Sequence, residues 1–159
     1  MGPKNKHMMT AMLVAPLLAL IGYFAIEAFV GETPHAAEEG ESYQLAEKPN
    51  CRYNSGSCGL KNGDFELILI PETIDEDRLL LTLSSEFPLE GVVLGLFTGD
   101  VEESPPFDMR PMDTEGLVWS VDLARPDAER SRLRLVASAN HSLWFGDAAL
   151  KFILPKTAY

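Results

Sequence analysis

The sequence predicts a small all-β domain, an antiparallel sandwich of about seven strands, carried behind a single transmembrane helix. Three observations predict it. The stretch Met8–Val30 (MMTAMLVAPLLALIGYFAIEAFV) is apolar throughout except for Glu27. Between residues 64 and 154, several short segments alternate apolar and polar positions with period two. Beyond residue 31, no segment presents a sustained helical face.

The apolar run comes first. At helical rise it spans roughly 34 Å, enough for a hydrocarbon core of about 30 Å. Pro16 and Gly22 are tolerated in a bilayer, where a local kink re-satisfies the freed backbone groups. Lys4, Lys6 and His7 precede the run, and Glu32, Glu38, Glu39 and Glu41 follow it. Retained positive charge marks the cytoplasmic side, so residues 1–7 read as a cytoplasmic leader and the rest as exported. A cleaved signal peptide would have a shorter apolar core and a small-x-small site. Here Pro34-His35-Ala36 and His35-Ala36-Ala37 lack the first small residue, which favours an uncleaved anchor.

Residues 31–50 (GETPHAAEEGESYQLAEKPN) are acidic and aperiodic and read as a stalk. Residues 51–159 then read as the sandwich. Cys51 and Cys58 are the two cysteines of the chain, an even count that suits a disulfide in an exported protein. The Asn54-Ser55-Gly56 turn between them brings the sulfurs within reach. A redox or metal-binding dithiol is the competing reading, but such pairs commonly sit two residues apart at a helix N-terminus.

The strands follow in order. Asp64–Ile70 is closed by Pro71. Arg78–Ser84 sends Leu79, Leu81 and Leu83 to one face, and Gly91–Thr98 runs to the Gly99-Asp100 turn. Leu117–Leu123 places Leu117, Trp119, Val121 and Leu123 together, and Arg132–Ala139 does the same with Leu133, Leu135, Ala137 and Ala139. Ala148–Leu154 is the expected last strand. A short helical turn is expected at Asp127–Ser131. Val101–Glu115 holds Pro105, Pro106 and Pro111, which bars it from a central strand. It reads as a loop with a short edge strand near Phe107–Arg110.

Charge narrows the function classes. Of 24 acidic residues only Glu27 lies within the anchor or its leader, and of 13 basic residues only Lys4 and Lys6 do. The remainder carries a net charge of about −12, which excludes nucleic acid as a partner and otherwise serves solubility.

Met109, Met112 and His141 are the soft and borderline donors of this part, and Met-x-x-Met is a spacing suited to copper(I). The competing reading makes the methionines core fillers and His141 an exposed turn residue in Asn140-His141-Ser142. A Ser142, His141 and Asp147 triad would need spatial proximity that sequence adjacency does not supply, and no nucleophile elbow is present. Trp119 falls on an inward face. Trp144 and Phe145, in a Trp-Phe-Gly-Asp stretch expected to turn into the last strand, are candidate partner contacts, or a cap on the sandwich.

The layout resembles the FixH-like and YtkA-like membrane-anchored periplasmic domains. Leu79–Phe97, Pro105–Met112, Gly116–Leu123 and Leu133–Leu154 carry the resemblance, with Gly116-Leu117-Val118-Trp119 standing where that group has a Gly-x-x-Trp strand after a methionine-containing loop. The resemblance implies a role in maturing a respiratory complex or its copper, without an activity of its own; the strand pattern itself reads as an immunoglobulin-like sandwich. The resulting expectation is a non-enzymatic accessory protein in a bacterial inner membrane, its sandwich in the periplasm and its partner a membrane protein complex. The alternative is a copper-binding or copper-delivery protein.

Overall fold

The structure, a computed structural model, describes residues 6–30, 40–99, 101–102 and 105–155. Residues 1–5 of the expected leader and 31–39 of the expected stalk lie outside the described residues. The chain divides into two compact units, Met1–His35 and Ala36–Tyr159.

The first unit is one helix, α1 (Lys6–Val30), with Pro16 inside it. It is long and apolar enough to cross a membrane, a property that a signal sequence shares.

The second unit is two six-stranded sheets built from twelve strands. In chain order these are β1 (Ser42–Gln44), β2 (Ala46–Glu47), β3 (Cys58–Asn62), β4 (Phe65–Thr73), β5 (Arg78–Ser85), β6 (Gly91–Thr98), β7 (Val101–Glu102), β8 (Phe107–Asp108), β9 (Arg110–Pro111), β10 (Val118–Ala124), β11 (Ser131–Ala139) and β12 (Ser142–Ala149). Sheet A runs β1-β12-β11-β6-β7, with β8 also paired to β6. Sheet B runs β2-β3-β4-β5-β10-β9. Pairing is antiparallel except β1 with β12, which is parallel.

Period-two alternation builds the core. Leu67, Leu69, Leu79, Leu81, Leu83, Trp119 and Leu123 from sheet B meet Val92, Leu94, Leu96, Leu133, Leu135, Ala137 and Ala148 from sheet A in one buried cluster. Burying each such leucine is worth about 1.5–3 kcal/mol against leaving it in water. The sheets therefore form a β-sandwich over a leucine-rich interior.

Several expectations are corrected. Strand β4 passes through Pro71 to Thr73. Its neighbour β3 ends opposite Leu69, so Pro71 sits on an uncovered edge where its missing N–H costs no ladder bond. The last strand is not Ala148–Leu154 but β12, and Lys151–Ile153 is a short 3-10 helix. Asn140 and His141 both have positive φ, 51° and 58°, the geometry of a two-residue hairpin turn, so the chain reverses at once and pairs from Ser142 onward. The second half of the expected stalk is also structured. Residues 42–47 form β1 and β2, crossing from sheet A to sheet B.

That crossing strap is held along its length. Gly40 N–H donates to His141 O at 3.0 Å, Leu143 N–H to Glu41 O at 3.0 Å, and Leu45 N–H to Phe145 O at 2.7 Å. Leu45 is buried at the switch point and lies against Gly146, where an added Cβ would stand 3.0 Å from both the Leu45 Cβ and its carbonyl oxygen. A side chain there would press on Leu45 and require it to give by a few tenths of an ångström. The Glu47 side chain, 8% exposed, accepts from Ala149 N–H at 2.9 Å and pairs with Arg52 at 3.3 Å and Arg132 at 3.5 Å. Beside it the Cys51–Cys58 disulfide is formed and wholly buried.

Glu47→Ala leaves the Ala149 N–H without its acceptor, and a loss of about 2 kcal/mol is expected in urea unfolding, read as a lower midpoint at unchanged slope. Glu47→Gln keeps an acceptor and loses only the pairing to two half-exposed arginines, so it is expected to cost less than about 1 kcal/mol.

Candidate functional site

Alternation that fills the core also dictates what sheet A shows to solvent. In β6 the outward residues are Gly91, Val93, Gly95 and Phe97; in β11 they are Arg132, Arg134, Val136 and Ser138; in β12, Leu143, Phe145 and Asp147. The register places Val136 directly opposite Val93 on one side and Phe145 on the other. Three apolar side chains thus form a row across three central strands. Val93 is 37%, Phe145 40% and the adjoining Leu143 47% exposed. A contiguous apolar row on a solvated sheet face is a feature that interaction surfaces share.

The next register row is charged and held in place. Arg134 stands opposite Gly95 and Asp147. Its Nε donates to Asp147 Oδ1 at 2.8 Å, and its guanidinium lies 4.5 Å from the Phe97 ring centroid. Gly95 makes room for that ring: a Cβ there would come within 2.9 Å of it. The apolar row is therefore bordered by a paired arginine and aspartate.

Trp144 and Phe145 lie mid-strand in β12, not at a turn, and face opposite ways. Phe145 is on the exposed row. Trp144 is buried, its ring stacked on Tyr43 at 4.7 Å and on Phe65 at 4.1 Å, with Phe87 continuing the stack 5.8 Å from Phe65. The Trp144 Nε1 atom is buried without a hydrogen-bond partner. Trp144 thus ties sheet A to sheet B and is not an exposed partner contact.

The three candidate copper donors fall in different environments. Met109 is buried in the shared core, while Met112, three residues on, is 64% exposed. A thioether packed inside and one turned to water do not make a two-sulfur site. His141 is exposed at the β11–β12 turn beside Glu90, with Nδ1 3.9 Å from its carboxylate. The cysteines are joined to each other, and the described residues contain no cluster of three His, Cys, Asp or Glu side chains fit to hold a metal. Nor do Ser142, His141 and Asp147 form a relay: Ser142 is buried, His141 meets Glu90, and Asp147 pairs with Arg134.

Met109 has a different role, one that sequence reasoning missed. Its neighbours Phe107 and Asp108 pair with β6 in sheet A, whereas Arg110 and Pro111 pair with β10 in sheet B. The chain changes sheets at this residue, whose N–H donates to Val92 O at 2.9 Å. An open cleft of about 710 Å³ lies along the crossing, lined by Phe107, Arg110, Met112, Leu80, Val121 and Asp122 among others. The available signal was a lone apolar residue flanked by polar ones between prolines.

Glu90 accepts from Ser138 Oγ at 2.7 Å and from His141 N–H at 3.2 Å, and these bonds hold its carboxyl below the usual carboxylate range. A carboxyl depressed on folding stabilises above its unfolded pKa, and that contribution is lost as pH falls through the folded value. Ser138→Ala removes the larger cause. The Glu90 titration followed by NMR is expected to move up toward the ordinary range, and the acid loss of the hairpin contact is expected at correspondingly higher pH.

The opposed faces of β12 give a second expectation. Phe145→Ser is expected to change stability by no more than about 0.5 kcal/mol, as surface substitutions do. Trp144→Ala is expected to cost about 3–5 kcal/mol. Chemical denaturation of the two variants checks both.

No family model and no curated protein matches the chain. Among solved structures, it is similar to the crystal structure of a bromine derivative of BhCBM56, at 7% identity and a TM-score of 0.40, over 55% of this chain and 89% of that one.

Proposed function

We propose that this chain is a membrane-anchored accessory protein that acts by docking, not by catalysis, through the outer face of sheet A. The observation that carries the reading is the exposed row Val93, Val136 and Phe145 with Leu143 beside it. These apolar side chains do nothing for the core, and the Arg134–Asp147 pair gives them a polar rim of the kind interfaces have.

In this reading α1 stays in a bacterial inner membrane with residues 1–7 cytoplasmic, and the sandwich stands in the periplasm. The anchor confines the search for a partner to the membrane plane and raises the effective concentration near a membrane complex. Maturation of a respiratory complex is the proposed setting, in keeping with the resemblance to FixH-like and YtkA-like domains. The immunoglobulin-like form of the sandwich belongs to the same proposal. The order β4-β5-β10-β9 corresponds to strands A, B, E and D of that fold, and β12-β11-β6 to G, F and C.

The test is site-specific photocrosslinking of the full-length protein in its own membranes. A photoreactive residue at position 145 is expected to give one dominant adduct with a subunit of a membrane complex, and one at position 82, on the other sheet, none. Val136→Lys is expected to lower the position-145 adduct by about tenfold, since an unpaired charge would be buried on docking. Adducts equal at both positions, or unaffected by Val136→Lys, would overturn the reading.

A further inference from the structure

The sheet switch at Met109 leaves part of a strand edge open. Strand β10 runs from Val118 to Ala124, yet β9 covers it only at Trp119 and Ser120. Met112 N–H donates to Val118 O, so the even-numbered residues of β10 turn their backbone groups toward that edge and the odd-numbered ones toward β5. Asp122 and Ala124 therefore direct N–H and C=O groups to a side where, among the described residues, no strand pairs with them. In an uninterrupted ladder, residue 108 would stand opposite Asp122. It is instead opposite Val93 in sheet A. The vacant lane is the cleft already described, and its apolar floor is Phe107 and Val121, with Leu80 on the outer face of sheet B. Unpaired edges of this kind are templates for strand addition.

Charge says what fits. The cleft lining carries Asp108 and Asp122 with Arg110, Asp122 is matched by Arg78, and the whole chain has a net charge of −11. We propose that the open edge of β10 receives an extended, basic peptide segment of a partner protein as an added strand, antiparallel to β10 and in line with β9. Backbone bonds to Asp122 and Ala124 supply affinity, and alternate side chains reach the apolar floor. Basic residues of the peptide meet Asp108. This site adjoins the sheet A row, since Asp108 stands opposite Val93, but its backbone readout at Asp122 and Ala124 belongs to sheet B alone.

The experiment is amide hydrogen exchange on the full-length protein in detergent micelles, with a blocked Lys-Val-Lys-Val-Lys-Val peptide as the probe and its Glu-Val counterpart as control. The Lys-Val peptide is expected to slow exchange at Asp122 and Ala124 by about tenfold or more, and the Glu-Val peptide to leave it unchanged. Ala124→Pro removes an edge donor and should abolish the protection. Asp108→Lys, on an exposed side chain, should weaken it by about fivefold at low salt without touching the ladder. The proposal is overturned if neither amide slows, if the acidic peptide works as well, or if Asp108→Lys binds the basic peptide as tightly as the parent. It is equally overturned if the amides slow with rising protein concentration alone, which would make a second copy the occupant.

Discussion

Two sheets with leucine-lined inner faces must be closed along both open sides, and this chain closes each with a single buried residue. At one side the crossing is Leu45, between β1 and β2; at the other it is Met109, between β8 and β9. At both points the flanking residues pair with different sheets, so the switch residue is drawn inward while its neighbours face water. Register follows from this. Fixing Leu45 against Gly146 sets which face of β12 is inward, and hence that Trp144 is core and Phe145 is surface. A slip of one residue would exchange the two.

The two closures differ in strength. The Leu45 side is reinforced by the Tyr43–Trp144 stack, the Glu47 carboxylate and the neighbouring disulfide. The Met109 side has two short strands flanked by prolines, and a cleft beside them. Outward positions on sheet A add a second surface by a separate route. There the leucine core has already filled the inward positions, and the apolar row is surplus to it.

Much of this was legible in the sequence. Strands β5, β10 and β11 follow from long apolar residues recurring at every second position, and β6 from an apolar run closed by the Gly99-Asp100 turn signal. The candidate donors and contacts read less well. In β12 the inward residues Ser142, Gly146 and Ala148 are small, so its period was hidden and Trp-Phe-Gly-Asp looked like a turn. The strap at 42–47 was masked by its acidic composition, since only Tyr43 and Leu45 face inward and Glu47 is buried by virtue of partners far along the chain. Met109 and Met112 looked alike at a spacing of three. What separates them is that one sits at a sheet crossing, a property of topology that no local pattern records.

Because β1 pairs in parallel with β12, the route by which the chain enters the sandwich also has a mechanical meaning. Tension applied at Gly40 acts along β1 and loads the Gly40–His141, Glu41–Leu143 and Leu45–Phe145 bonds together, in shear, instead of one after another. The load passes directly into β12, the strand that displays Phe145. A pull from the N-terminal side and a grip on the sheet A face are therefore joined in series through one strand.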